Sequence, residues 1–306
     1  MRIVVVGDLV TDVLASLSGP LTLGSDTTAA IRETGGGSAA NTACWLGSLG
    51  APTSLVAVAG DDAAGRARVA ELSCDSAVRF APEAPTGTVI VLSTADERSM
   101  VTDRGANALL NASDVDSALP GAGHMHLSGY VLFDPRTAAA GRHALAAARS
   151  VGASTSVDAG SAGPLRMLGP ERFLDYVRGT DLLLANLDEA YTLVGTTPGV
   201  PGMVAPAELA EFAARPEPEE LARRLAAYAV HAVVKLGAAG AVWAGPDGTV
   251  VRVPAVPVEP VDPTGAGDAF AAGLLAAWLG GAEPGAALAA GAELGARAVT
   301  QVGARP

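Results

Sequence analysis

Residues 262–268 read Asp-Pro-Thr-Gly-Ala-Gly-Asp, and they run directly into an apolar segment that begins at Ala269. The small residues predict a loop that enters the first turn of a buried helix. That first turn carries backbone N–H groups without intrahelical partners and the positive end of the helix dipole. Because Gly265, Ala266 and Gly267 leave room beside these N–H groups, we predict that the loop binds an anion.

Asp268 places a carboxylate where the anion would sit, an unfavourable arrangement unless the carboxylate does chemistry. We interpret Asp268 as a general base that takes a proton from a hydroxyl, while the N–H groups hold the phosphoryl group that the hydroxyl attacks. The alternative is a carboxylate that only complements the helix dipole. The loop is not a Walker A motif, because no Lys follows it. It is not a dinucleotide-binding motif either, because no third glycine follows Gly267 at the required spacing.

The composition limits the class of protein. The chain has 306 residues, of which 49% are apolar and 4% aromatic, and its formal net charge is −12. This length fits one large domain with a core of Ala, Val and Leu. The acidic balance argues against nucleic-acid and membrane-surface partners, which require a basic face. Two cysteines without a Cys/His cluster disfavour a disulfide scaffold and a zinc site. With no signal-peptide pattern and no run of about 20 apolar residues, we predict a cytoplasmic protein.

Strand and helix patterns alternate along most of the chain, which predicts a mostly parallel sheet with helices on both faces. Strands are predicted at residues 3–6, 55–59, 124–127, 154–157, 182–185 and 232–236. Helices are predicted at residues 36–49, 61–72, 135–150, 187–194, 219–228, 265–279 and 284 to about 300. A hairpin is predicted at 241–253, with Pro246, Asp247 and Gly248 at its turn.

Two segments depart from this alternation. Residues 77–103 alternate between apolar and other side chains, which is typical of half-exposed antiparallel strands. Residues 9–34 show only short, polar patterns without a helical period. Together they predict a small β appendage. Residues 195–218 are rich in Pro and Gly, with one short apolar-periodic piece near 208–213.

Polar residues near the start of the chain indicate a binding site. Gly36 and Gly37 precede a helix in which Asn41 offers a donor and an acceptor to sugar hydroxyls. Asp12 follows the first strand, and ligands of open α/β sheets sit at the carboxyl ends of the strands. The alternatives are a tight turn with a surface Asn and a solvated loop Asp.

Two later motifs also follow strands. Asn186 and Glu189 begin a helix, where Glu189 is placed to order waters on Mg²⁺, although the same spacing is an ordinary capping arrangement. Lys235, Gly237 and Gly240 leave another strand and suit a nucleotide lying across the backbone. A solvated Lys is the alternative there.

These signals agree in order and placement, and the chain resembles the ribokinase, or PfkB-type, family of carbohydrate and nucleoside kinases. The resemblance covers nearly the whole length, is strongest at 262–268 and 35–41, and includes residues 98–107. It implies a ribokinase-like three-layer α/β/α sandwich, with a mostly parallel sheet in a single domain, 1–306. It also implies a small β lid from about 9–34 and 77–104, through which two copies could pair.

The resemblance also implies roles for individual residues. Asp268 would be the base, and the backbone of Gly265, Ala266 and Gly267 the anion hole. The residues implied to hold the sugar are Asp12, Gly36, Gly37 and Asn41. Those implied to serve the nucleotide are Asn186, Glu189, Lys235, Gly237 and Gly240, with Glu189 contacting Mg²⁺ through water. Those implied to surround K⁺ are Asp262, Thr264, Ala298, Gln301 and Gly303.

The sequence departs from the ribokinase pattern at two sites near the sugar. Ser38 stands where ribokinases usually carry Lys, and residues 124–128 lack the acidic residue expected near the anomeric end. These departures leave room for a ribonucleoside beside free ribose. The resemblance implies an ATP-dependent phosphotransferase that acts on the primary hydroxyl of a sugar or ribonucleoside, with ATP, Mg²⁺ and K⁺ as cofactors. One alternative is a nucleoside kinase for a substrate such as pseudouridine or adenosine. Another is a non-catalytic nucleotide- or sugar-binding regulator.

Overall fold

The computed structural model describes residues 1–93, 98–194 and 215–306. The apolar-periodic piece noted near 208–213 and most of the Pro-rich segment lie outside these ranges. The first strands are β1 (Arg2–Val6), β2 (Val10–Leu17), β3 (Ala29–Gly36), β4 (Thr53–Gly60), β5 (Asp75–Ala81), β6 (Gly87–Ser93) and β7 (Arg98–Asp103). The later strands are β8 (Ala122–Ser128), β9 (Ser154–Asp158), β10 (Leu182–Asn186), β11 (His231–Lys235), β12 (Ala241–Ala244) and β13 (Val250–Val253).

The α-helices lie between these strands and after them. The helices of the first half are α1 (Ser38–Ser48), α2 (Ala63–Ala70), α3 (Ala112–Ala118), α4 (Tyr130–Phe133) and α5 (Ala138–Ser150). Those of the second half are α6 (Ala162–Leu168), α7 (Pro170–Val177), α8 (Leu187–Leu193), α9 (Pro218–Leu225), α10 (Ala266–Leu279) and α11 (Pro284–Val299). Each predicted helix therefore exists within a few residues of its predicted bounds.

In the described ranges, nine strands form one sheet in the order β13-β12-β11-β10-β9-β8-β1-β4-β5. Within it, β11, β10, β9, β8, β1, β4 and β5 pair in parallel, whereas β12 and β13 form the predicted antiparallel hairpin. The β-branched run of β1 feeds two cores. Val4 and Val6 pack in one hydrophobic cluster, and Ile3 and Val5 pack in the other. Helices cover both faces, so the predicted three-layer sandwich with a mostly parallel sheet is confirmed.

A second sheet has the order β3-β2-β6-β7 within the described residues. Strand β2 pairs antiparallel with β3 and parallel with β6. The prediction that residues 77–81 belong to this appendage is wrong, because β5 pairs in parallel with β4 in the main sheet. Strand β5 lies at the sheet edge and is partly exposed, which gives it the alternating pattern of a half-exposed antiparallel strand.

The small sheet projects from the carboxyl end of β1, since β2 follows it directly and β3 leads into α1. One face of the small sheet carries Asp12, Val89 and Thr102 in neighbouring register. The opposite face carries the exposed residues Ile90 and Val101. Among the described helices, none has both the length and the apolar character needed to cross a membrane.

Candidate active site

A pocket of about 370 Å³ lies between the small sheet and the carboxyl ends of the main-sheet strands. Five neighbouring strands of the main sheet, β1, β8, β9, β10 and β11, end in or are followed by polar groups that line this pocket, since parallel strands end at the same edge. The predicted site residues that line the pocket are Asp12, Gly37, Asn41, Asn186, Glu189, Lys235, Gly237, Thr264, Gly265, Gly267 and Asp268. Motifs 250 residues apart in the sequence therefore share one cavity.

The predicted anion loop enters α10 through Gly265, which has a φ of 75°. A side chain there would be strained, and its Cβ would lie 2.6 Å from Cα of Ala304. Gly267 faces Lys235, whose Nζ lies 3.3 Å from the position of a Cβ on Gly267. Ala266 does not line the pocket, and its N–H donates to the carbonyl oxygen of Pro263 at 3.3 Å. An anion can therefore approach the backbone over Gly265 and Gly267, with the Lys235 ammonium group beside them.

Asp268 is held by two donors from the first turn of α1. Ser38 Oγ donates to Oδ1 at 2.8 Å, and Asn41 Nδ2 donates to Oδ2 at 2.9 Å. Burial raises the pKa of Asp268 to about 6, against the lowering effect of the hydrogen bond from Asn41. A carboxylate with such a pKa is ionised at neutral pH and accepts a proton more readily than an exposed aspartate. Ser38, which sequence reasoning noted only as a departure from the ribokinases, contacts Asp268.

The residues predicted to hold a sugar differ in how available they are to a ligand. Asp12 is buried, and burial raises its pKa to about 6, with Arg305 and Arg68 acting in the opposite direction. None of the described residues donates a hydrogen bond to its carboxylate, so its oxygens are available to a ligand. Gly36 does not line the pocket, but a Cβ there would collide with that carboxylate.

Asn41 is less available than the sequence indicated. Its Nδ2 donates to Asp268, and its Oδ1 accepts from Nε of Arg305 at 3.2 Å. One N–H of the amide and one lone pair of Oδ1 are left for a ligand. Asn41 therefore binds Asp268 and Arg305 first, and its role toward sugar hydroxyls stays a prediction with one donor and one acceptor position left.

Asn186 and Glu189 form the capping arrangement that the sequence allowed. The backbone N–H of Asn186 donates to Oε2 of Glu189 at 2.8 Å, its Nδ2 donates to Oε1 at 2.6 Å, and the N–H of Glu189 donates to Oδ1 of Asn186 at 2.9 Å. Glu189 is 2% exposed, and burial raises its pKa. A buried carboxylate at the pocket wall favours a nearby cation.

Lys235 supplies one such cation. Its Nζ donates to Oδ2 of Asp158 at 2.6 Å, and the carboxylates of Asp158 and Glu189 raise its pKa against the effect of burial. Sequence reasoning missed Asp158 as a site residue. The signal was present, because Asp158 ends a buried strand at the same edge as Asp8 and Asn186.

The donor set fits Mg²⁺ held mainly through water. Asp158 and Glu189 both line the pocket, and Mg²⁺ is usually bound by one or two carboxylates, waters and substrate phosphates. Within the described ranges, no three His, Cys, Asp or Glu side chains form a ready-made metal cluster. The fit is therefore to an ion that completes its coordination with phosphate oxygens and water.

Asp8 and Tyr130 also line the pocket, and one predicted residue lies outside it. Arg104, which follows the small sheet, donates to Asp8 at 2.7 Å. Gly240 lies outside the pocket, where a Cβ would collide with the backbone of Val253, so its role is in packing.

The residues predicted to surround K⁺ are partly brought together. Asp262 Oδ1 accepts from the N–H of Thr264 at 2.9 Å, and Oδ2 accepts from the N–H of Gly303 at 3.0 Å. The carbonyl oxygen of Ala298 accepts from the N–H of Gln301 at 3.3 Å. Asp262 thus ties the anion loop to the segment after α11.

A family model described as "pfkB family carbohydrate kinase" matches residues 1–306. Adenosine kinase from Sinorhizobium meliloti is similar in structure, with 26% identity, a TM-score of 0.83, and coverage of 100% of this chain and 95% of that one. PfkB protein from Polaromonas sp. JS666 has 27% identity and a TM-score of 0.79, covering 100% and 98%. Aminoimidazole riboside kinase from Salmonella enterica, complexed with aminoimidazole riboside and an ATP analog, shares the fold at 23% identity and a TM-score of 0.73, covering 99% and 95%. No curated protein matches the chain.

Proposed function

The chain belongs to the pfkB family of carbohydrate kinases, and from that premise we propose that it transfers the γ-phosphoryl group of ATP to the primary hydroxyl of a sugar or ribonucleoside. One observation carries the proposal. Asp268, oriented by Ser38 and Asn41, stands beside the two glycines of a helix N-terminus and near the ammonium group of Lys235. This arrangement provides a base and an anion site within one pocket.

The proposed reaction is a direct displacement. The hydroxyl O–H bond breaks and its proton passes to Asp268, while the hydroxyl oxygen forms a bond to the γ-phosphorus and the bond to the leaving ADP oxygen breaks. The N–H groups at the start of α10 and the Lys235 ammonium stabilise charge on the phosphoryl oxygens. Positioning and electrostatics account for most catalysis of phosphoryl transfer.

The acidic wall of the pocket is the part that would hold magnesium. Glu189 and Asp158 would hold Mg²⁺ through water, and the bound ion would neutralise charge on the β- and γ-phosphates. Lys235 lies between these carboxylates and Gly267, so it contacts the phosphate side of the same region. The side chain of Asn186 donates to Glu189 and so orients its carboxylate, and Asn186 also lines the pocket.

Asp12 is the proposed ligand of the sugar hydroxyls. Its carboxylate is buried in the pocket without a hydrogen-bond donor among the described residues, and a pair of hydroxyls would supply donors. The small sheet that carries Asp12 would then close over the sugar as a lid.

A ribonucleoside substrate is the second candidate, and one observation favours it. Beyond Asp12, the small sheet lines the pocket with Val89, Val91 and Met100, and Tyr130 faces them from the main domain. Apolar and aromatic walls suit a nucleobase better than they suit a free sugar. The similarity to an adenosine kinase at 26% identity supports the same substrate class.

We also propose that K⁺ binds beside the anion loop, where Asp262 joins this loop to the segment at Gly303. The rate of phosphoryl transfer in K⁺ salts should exceed the rate in Na⁺ salts at equal ionic strength. Equal rates in the two salts would contradict this part of the proposal.

The proposal is tested with the purified chain, MgATP and a panel of free sugars and ribonucleosides, with the phosphorylated product identified by mass spectrometry. Transfer to one compound class, lost in Asp268→Asn, is the expected result. Binding of ATP and a sugar without product from any compound would instead support the non-catalytic regulator.

A further inference from the structure

The segment after α11 brings the chain back to the side of the pocket formed by α1 and the anion loop. Nε1 of the buried Trp45 donates to the carbonyl oxygen of Ala304 at 2.9 Å, and Nε2 of Gln301 donates to that of Arg305 at 2.8 Å. The N–H of Gly303 is bound to Asp262 at 3.0 Å. The backbone at Arg305 is thus fixed against both α1 and the anion loop.

From this anchor, the side chain of Arg305 reaches the turn before α1. Its Nε donates to Oδ1 of Asn41 at 3.2 Å, and its Nη2 donates to the carbonyl oxygen of Gly36 at 2.8 Å. A Cβ on Gly35 would collide with the guanidinium, so the glycine leaves the space that Arg305 occupies. The side chain is 11% exposed and lies behind the pocket wall rather than in the pocket.

The chemistry of the three partners allows one orientation of the amide. Arg305 is an obligate donor, so the amide must turn Oδ1 toward it, and Nδ2 then faces the Asp268 carboxylate, an obligate acceptor when ionised. Resting on the proposed function for Asp268 as the base, we propose that Arg305 is its positioning residue: it fixes the Asn41 amide so that Nδ2, and not Oδ1, faces Asp268.

The orientation matters because the amide can stabilise either state of the base. With Nδ2 toward Asp268, the amide favours the ionised carboxylate that accepts a proton. With Oδ1 toward Asp268, the amide favours the protonated acid, which cannot act as a base. The charged or titratable groups that also face Asp268 are Asp158, Lys235 and Tyr130, and all three are unchanged by substitution of Arg305.

The contact is tested without turnover, so this test does not depend on the proposed function. The pKa of the Asp268 carboxyl is measured by ¹³C NMR titration of the ligand-free protein, with Asp268→Asn used to assign the signal. In Arg305→Ala we expect this pKa to rise by about 0.5–1 unit, the effect of losing a hydrogen bond to the ionised form. In Asn41→Ala the same rise is expected, and adding Arg305→Ala to it should produce no further rise.

Two controls separate positioning from charge. Arg68 also lowers the pKa of Asp12, but it binds Glu71 at 2.6 Å and makes no described contact with Asn41. Arg68→Ala should leave the pKa of Asp268 unchanged. Arg305→Gln keeps a donor for Oδ1 and should show a smaller rise, and it replaces Arg305→Ala if that variant does not fold.

Two results would overturn the proposal. One is an unchanged Asp268 pKa in the Arg305 variants, and the other is an equal rise in the Asn41→Ala background, which would mean that only the guanidinium charge matters. If the chain has the proposed activity, the acid limb of kcat/KM should move to higher pH in Arg305→Ala by the same amount. Absence of turnover in the unmutated protein would count against the function, while the NMR result would still decide the role of Arg305.

Discussion

Lys235 and Asp158 form an ion pair of 2.6 Å across the carboxyl ends of β11 and β9, with both side chains largely buried. The strand between them, β10, ends at Asn186 and delivers Glu189 to the same wall. One ammonium group therefore serves two buried carboxylates and also faces Gly267 of the anion loop. The pair links the phosphate side of the pocket to the stability of the sheet.

Lys235→Met should separate these two functions. Removing one partner of a buried pair costs about 3–5 kcal/mol, because the other charge is left unpaired. The loss of a cation near the phosphoryl group should lower kcat by about 10²–10³-fold. Adding Asp158→Asn should recover much of the thermal stability but not the rate. A Lys235→Met variant as stable as the unmutated protein would contradict the structural part.

Asp268→Asn should remove the base while keeping its shape. We expect kcat to fall by about 10²–10⁴-fold, the usual contribution of a general base, with nearly unchanged ATP affinity measured by calorimetry. Retention of most of kcat would assign Asp268 to the helix dipole alone. In the unmutated protein, kcat/KM should decline below about pH 6, where Asp268 takes up its proton.

Asp12→Asn should raise thermal stability at pH 7.5. Burial raises the folded-state pKa of Asp12 to about 6 from an ordinary value of 3.8, so the folded protein holds this proton more tightly than the unfolded chain. Stability from this group therefore falls as pH rises from about 4 to about 6, and the variant avoids that loss. We expect a gain in Tm of at least about 2 °C at pH 7.5 that shrinks at pH 4.5. A gain independent of pH would contradict the argument.

The exposed face of the small sheet should pair with a second copy of the chain. Ile90 and Val101 lie side by side on this face, and β3 and β7 have open edges within the described residues. Val101→Lys should reduce the molar mass measured by light scattering from dimer to monomer. Val151→Lys, an exposed apolar residue after α5, is the matched control. A monomer in the unmutated protein would contradict the prediction.

How far the sequence predicted this site depends on how local each signal is. The loop 262–268 and the turn before α1 carry their own glycines and were found from the sequence alone. Residues whose roles depend on long-range contacts were not found. Arg305 meets Asn41 across 264 residues of sequence, and Asp158 meets Lys235 across 77. The edge strand β5 was placed in the wrong sheet because a partly exposed edge strand carries the same alternating sequence in either sheet.

The last prediction concerns the sugar. The Asp12 carboxylate only accepts hydrogen bonds when ionised, and Asn41 has one N–H and one lone pair of Oδ1 left after binding Asp268 and Arg305, so Asp12 is the principal acceptor for a vicinal pair of hydroxyls. A 2-deoxy analogue would leave the buried carboxylate with one donor fewer. An unsatisfied buried polar group costs roughly 1–3 kcal/mol, which is about 5- to 150-fold in kcat/KM.

We therefore expect a ribose-containing substrate to be preferred over its 2-deoxy analogue by that margin, measured as the ratio of the two kcat/KM values. In Asp12→Ala the ratio should approach one, because the group that distinguishes the two substrates is gone. Asn41 remains bound to Asp268 and Arg305 in that variant, so the base keeps its orientation and residual turnover can be measured. Equal efficiency for both substrates in the unmutated enzyme would exclude Asp12 as the diol ligand and leave the phosphotransfer chemistry of Asp268 untouched.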